Sequence, residues 1–198
     1  MMKVISFEHI FSVVTICWII LLLYWLVSSF FVKRSAIPRG RWWIIWRVVA
    51  VLTAILLIRF DKSGSQYFVS LFRLFFQSSF SLIIPGSVLT IFGLLGAIWA
   101  RAYLGRNWSG YATYKEHQEL VTTGPYRFVR HPIYTSMMLM FLGTILYYGS
   151  LFISIIFVVV AISFILRVKK EEEIMIKLFG KQYAGYMNRT KRWIPWIY

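Results

Sequence analysis

The run Gly124-Pro125-Tyr126-Arg127-Phe128-Val129-Arg130-His131-Pro132-Ile133-Tyr134 packs two arginines beside a histidine and two tyrosines, just ahead of an apolar stretch. A second cluster, Arg167-Val168-Lys169-Lys170-Glu171-Glu172-Glu173, follows where the next apolar stretch ends. Proline suits the first turn of a helix and not its interior, so His131-Pro132 marks a helix start. A helix start offers unpaired amide donors and the positive end of the dipole to an anionic group. Tyr126 and Tyr134 add aromatic faces and hydroxyls for a flat ring, and together these suit a charged, ring-bearing cofactor. Taken alone, the same residues equally fit interfacial arginines and tyrosines around a helix-starting proline. The acidic run adds weight, because three of only seven acidic residues sit in a basic tail beside a membrane surface that repels negative charge. Their compensation is either local, from Arg167 and Lys177 at i±4 with Lys169 and Lys170 alongside, or functional. In the functional alternative one glutamate faces the cofactor while Arg167, on the same helical face, meets a substrate anion.

The elements that position these clusters are membrane helices. Hydrophobic residues make up 59% of the 198, and the mean hydropathy is +0.68, which excludes an ordinary soluble domain. A spanning helix needs roughly 20 mainly apolar residues, and the runs 10–32, 42–58 and 82–100 are each of that order. Two shorter runs, 133–148 and 151–166, are separated by Gly149-Ser150, a pair suited to a tight turn. Together they far exceed one crossing, so a helical hairpin is expected. The fold class is therefore all-α, a polytopic membrane protein of about five transmembrane helices with a C-terminal hairpin. One membrane domain covers 1–198, with three N-terminal spans in 1–100 and the functional region in 101–198. Past Leu166 the last helix continues through a charged segment that Gly180 stops, so it is expected to project beyond the membrane.

The first apolar run is longer than a signal-peptide core and lacks a small-residue cleavage pattern, so it is expected to remain as an anchor. A net charge of +15 would suggest nucleic acid in a soluble protein, but here the basic residues follow topology. With five spans, seventeen of the twenty-two fall on one side, in the segments 33–41, 101–130 and 167–192. The positive-inside bias then puts the N-terminus outside and the tail in the cytosol, with anionic lipids and not nucleic acid as the partner. Cys17 is the single cysteine, and His9, His117 and His131 lie far apart. Neither offers a disulfide or a metal-ligand spacing, so no metal is expected.

Several of these residues fall in an ordered set. Leu104-Gly105-Arg106-Asn107-Trp108-Ser109, then Leu120-Val121-Thr122-Thr123-Gly124-Pro125-Tyr126, Arg130-His131-Pro132-Ile133-Tyr134, Arg167 with Glu171-Glu172, and Phe179-Gly180 with Tyr183, Tyr186 and Pro195 occur in sequence. That set resembles the isoprenylcysteine carboxyl methyltransferase family over about half the chain. The resemblance implies an integral membrane methyltransferase that uses S-adenosylmethionine, held on the cytosolic side, and a lipid-like substrate reaching it from the bilayer. It implies cofactor contacts at Gln118, Glu119, Leu120, Val121, Tyr126, His131, Pro132, Ile133, Tyr134 and Glu171. Substrate contact is implied at Arg167, and Arg130 is a second candidate. The chain departs from several members in having Gln118-Glu119 before the Leu-Val pair, with His117 one position earlier.

Methyl transfer of this kind is a direct displacement, to which a protein contributes alignment and a dry, suitably charged pocket. A carboxylate nucleophile is already ionised at neutral pH and can be held by Arg167, whereas an amine arrives protonated and needs a base, a role open to His131. Carboxyl O-methylation is the first reading. A phospholipid headgroup N-methyltransferase and a non-enzymatic or reductase-like relative are the alternatives.

Overall fold

In the computed structural model the described residues are 12–31, 80–108 and 118–194. They form five α-helices: α1 (Val13–Ser28), α2 (Phe80–Leu104), α3 (Pro132–Tyr148), α4 (Leu151–Phe179) and α5 (Lys181–Arg189). Among the described residues the only β pairing is one parallel bridge between Val129 and Lys191. Three stretches are long and apolar enough to cross a membrane: Val13–Phe31, Ser81–Asn107 and Leu151–Phe179; α3 is a shorter apolar helix. Four of the five expected spans thus fall on described helices, and the expected span at 42–58 lies outside the described residues.

The hairpin forms where the glycine was expected to allow it. Gly149 caps α3 in the left-handed region (φ 60°), its amide donating to Ile145 O at 2.8 Å, and Ser150 caps α4 by accepting from the Ile153 amide. Only glycine takes that conformation without strain. The 29 residues of α4 rise about 43 Å at 1.5 Å each, well beyond the ~30 Å hydrocarbon layer. The helix is therefore longer than one crossing needs, with its charged end starting at Arg167. Gly180 (φ 48°) ends α4 and turns the chain into α5.

Association of α2 with α3 rests on missing side chains. A Cβ at Gly86 would lie 2.7 Å from Gly143 O, and one at Gly93 2.7 Å from Ser136 O and 2.8 Å from Met140 N. Small residues let helix backbones approach in lipid, where no hydrophobic drive joins them. Helix α1 packs on this pair through Cys17 and Leu21, which meet Leu94, Ala97 and Met140 in one buried cluster. Hydrogen bonds fix its register: Trp18 Nε1 donates to Thr144 Oγ1 at 3.0 Å, and the hydroxyls of Ser12 and Thr15 lie 2.7 and 3.0 Å from that of Tyr148. The remaining helix faces expose Leu22, Leu23, Phe92 and Val159, as a lipid-facing surface requires.

Candidate active site

Two distant stretches of chain meet at one end of the helices. Gly124 opens a 3₁₀ turn (Gly124–Arg127) with φ 58°, and a Cβ there would run into the ring of Tyr103. His131 caps α3 and Pro132 occupies its first turn. The C-terminal segment then straps this corner down. The amides of Arg130 and His131 donate to Lys191 O and Arg192 O at 2.8 and 3.2 Å, and Thr135 Oγ1 donates to Trp193 O at 2.9 Å. The Tyr186 hydroxyl donates to Tyr126 O at 2.6 Å.

The extension of α4 brings its glutamates to the same corner, and the two neighbours do different work. Glu172 is 3% exposed. Its Oε1 accepts from Arg130 Nε at 2.9 Å and lies 3.4 Å from His131 Nε2, while Oε2 accepts from Arg192 Nε at 2.9 Å. Glu171 points to the other side of the imidazole. Its Oε1 accepts from Tyr134 Oη at 2.7 Å and from Arg167 Nε at 2.8 Å, and its Oε2 lies 3.8 Å from His131 Nδ1. The histidine ring thus stands between two carboxylates, stacked on the Tyr134 ring at 5.8 Å. A cluster built on His131 and Glu171 requires these residues to be neighbours, and they are.

A cavity opens over this corner. Of the residues expected around a cofactor, Gln118, Glu119, Leu120, Val121, Tyr126, His131, Ile133, Tyr134 and Glu171 line it. Pro132 does not; it is buried and sets the start of α3. Arg167 is also absent from the wall and reaches it through Glu171, with its guanidinium 5.9 Å from the Tyr134 ring. Arg130, expected as a second substrate contact, is held by the scaffold around it. It does border the cavity, yet Nε is taken by Glu172 and Nη1 donates to the carbonyls of Met187 and Thr190. Its side chain is only 10% exposed, and a buried cation keeps the partners that neutralise it.

Leu104, Asn107, Trp108, Met175, Tyr183 and Tyr186, none of them among the residues expected at the site, complete the lining. Asn107 and Trp108 stand in a quoted motif, and the tyrosines in another, so the signal was present without a role attached. Asn107 Oδ1 is buried and has no hydrogen-bond partner among the described residues. Burial pushes up the phenols of Tyr126 and Tyr183, and that of Tyr186 to about 12, so all three stay protonated at neutral pH. Among the described residues no group of His, Cys, Asp or Glu is placed to hold a metal ion.

Comparisons with known proteins agree with the motifs. An Arabidopsis thaliana protein-S-isoprenylcysteine O-methyltransferase B is 33% identical over 42% of this chain and 43% of its own length. The nickel-cobalt-cadmium resistance protein NccN of Alcaligenes xylosoxydans xylosoxydans is 28% identical over 76% of this chain and 63% of its own length. The chain therefore matches less than two thirds of the length of either relative. Among solved structures, a eukaryotic intramembrane Ras methyltransferase, isoprenylcysteine carboxyl methyltransferase, superposes with a TM-score of 0.62 at 21% identity, covering 96% of this chain and 66% of that one. That likeness establishes the helical membrane fold. The family model for phospholipid methyltransferases matches residues 81–182, just over half of the sequence and most of the cavity lining, and the chain belongs to that family.

Proposed function

We propose that the chain is an integral membrane methyltransferase that moves the methyl group of S-adenosylmethionine to the carboxylate of a lipophilic acceptor, with its tail on the cytosolic side. The observation that carries this reading is the pairing of Glu171, on the cavity wall, with Arg167 one helical turn earlier at the edge of the apolar segment. An anion faces the place for a cationic donor, and a guanidinium stands beside it where an acceptor carboxylate arrives from the bilayer.

The residues present fit the cofactor. Glu171 and His131 give a charged end to the cavity for the amino-acid portion, while Leu104, Trp108, Val121 and Met175 give an apolar, aromatic stretch for a heterocycle. The unpartnered Asn107 Oδ1 adds an acceptor for an N–H or O–H group, since a buried carbonyl left without a donor costs about 1–3 kcal/mol. Bound S-adenosylmethionine supplies an electrophilic sulfonium methyl group. The protein's part is placement: Arg167 holds an acceptor carboxylate by charge-assisted hydrogen bonds, which needs no base because that acid is ionised at neutral pH. Tyr134 Oη fixes the Glu171 carboxylate, and the network of Glu172 with Arg130 and Arg192 holds His131 against it. Arg130 acts as a positioning residue.

Matches to proteins named isoprenylcysteine O-methyltransferase support the carboxylate acceptor. The test uses S-adenosylmethionine labelled in the methyl group with the membrane-reconstituted protein and an isoprenylated cysteine acceptor. Base-labile label released as volatile methanol marks an ester; stable label on ethanolamine lipid would overturn the carboxylate reading in favour of headgroup N-methylation.

A further inference from the structure

A second cavity lies where the C-terminal ends of α1 and α2 meet, lined by Tyr24, Val27, Ser28, Phe31, Arg101, Ala102, Gly105 and Arg106. Its floor is built on Arg101, which is 3% exposed. The guanidinium ties the two helix ends together, Nη1 donating to Gly105 O and Nη2 to Ser28 O, each at 2.8 Å. One face lies 4.6 Å from the ring of Trp108. Two features go beyond a helix clamp. Among the described residues Nε is buried with no hydrogen-bond partner, and Arg101 pairs with no carboxylate. Buried cations at membrane depth are costly and are normally paired. The two helix C-termini supply about half a negative charge each, which offsets one cation and leaves the exposed Arg106 beside it, so the cavity is net positive.

The opposite wall is apolar. Val27, on α1, and Phe31, in the 3₁₀ turn Ser29–Phe31 that follows it, are 57% and 69% exposed, on the side that a bilayer covers. A basic floor joined to an apolar, lipid-facing wall matches a molecule with a phosphate at one end and hydrocarbon at the other. Free phosphate satisfies the floor and leaves the wall bare; a hydrocarbon chain does the reverse.

We propose that this cavity binds a membrane phospholipid, its phosphodiester against Arg101 and Arg106 and the start of its acyl chains along Val27, Phe31 and Ala102. The site lies apart from the cavity over Glu171, with Trp108 between Arg101 and that cavity. It needs no methyl transfer, so its failure leaves the proposed activity untouched.

The test is a thermal-unfolding titration of the delipidated full chain in detergent with dihexanoyl phosphatidylglycerol, dihexanoylglycerol and inorganic phosphate. The expected result is a saturable rise in melting temperature with phosphatidylglycerol alone. Arg106→Gln, on an exposed side chain that leaves the helix clamp intact, is expected to weaken the apparent affinity about tenfold or more, the worth of one charge-assisted hydrogen bond. Lys169→Gln/Lys170→Gln, which removes two exposed cations on α4, is expected to change it less than twofold. Equal shifts with dihexanoylglycerol, or with inorganic phosphate at the same concentration, overturn the phospholipid assignment. So does an affinity that Arg106→Gln leaves unchanged or that the two lysine changes reduce equally, which reduces the effect to general attraction of a +15 protein.

Discussion

Replacing Glu172 by glutamine separates the two adjacent glutamates most sharply. The substitution keeps size and some hydrogen-bonding capacity but removes the charge that Arg130, Arg192 and His131 share. The Glu172 side chain is 4% exposed and that of Arg130 10%, so solvent cannot take over the neutralising role. Removing one partner from a buried ion pair costs about 3–5 kcal/mol, because the other charge stays behind uncompensated. For a chain of 150–250 residues each kcal/mol lowers the melting temperature by about 2–4 °C, so a fall on the order of 10 °C is expected. The same change at Glu171 meets side chains that are 21% and 31% exposed. There the loss of stability is expected to stay near 1 kcal/mol, the ceiling for a pair open to water. Differential scanning fluorimetry of both variants in one detergent, followed by calorimetric titration with S-adenosylhomocysteine, reads both quantities. Glu172→Gln should melt early, while Glu171→Gln should melt near the parent and bind the ligand weakly. If Glu172→Gln melts within about 3 °C of the parent, or Glu171→Gln is the less stable of the two, the division between a carboxylate that holds the corner together and one that serves the cavity is wrong.

Four further outcomes follow from the same geometry. Glu171→Ala is expected to weaken S-adenosylhomocysteine binding, measured by calorimetry, and equal affinity with the parent contradicts its place on the cavity wall. Arg167→Ala is expected to leave that affinity within a few-fold and abolish methyl transfer to a carboxylate acceptor in a labelled-methyl assay. Gly93→Ala forces a methyl group to within 2.7 Å of Ser136 O and is expected to cost about 1–3 kcal/mol as an overpacked contact, seen as an early thermal transition. The Tyr186 phenol titrates at about 12 in the folded chain against 10.0 ordinarily, so the folded state holds its proton more tightly than the unfolded state. Its contribution is complete below pH 10 and lost as pH rises from about 10 to 12, by up to 1.4 kcal/mol per pH unit; Tyr186→Phe should flatten that part of the stability profile.

What the sequence determined by itself is whatever depends on local chemistry. Run lengths of apolar residues placed α1, α2, α3 and α4, because a bilayer admits only segments that satisfy their own backbone hydrogen bonds. Gly149-Ser150 placed the hairpin, since the left-handed turn there costs a glycine little. His131-Pro132 placed the start of α3, and the glutamates on the continuing α4 placed an anion beside a ring of aromatic and basic groups. The resemblance singled out Glu171, but tertiary structure alone decided what Glu172 is bound to. Glu171 and Glu172 are neighbours in sequence, yet adjacent helical positions point about 100° apart, so one faces the cavity and the other meets Arg130, Arg192 and the His131 ring. No local pattern distinguishes them, because Arg192 and the Thr190 carbonyl reach the site only when the C-terminal segment lies down beside Val129. The same long-range docking gave Arg130 its carbonyl partners at Met187 and Thr190, and gave Asn107 and Trp108 a place on the wall that their motif did not reveal. Charge and spacing along a chain state what a residue can bind; only the folded neighbourhood states what is already bound to it.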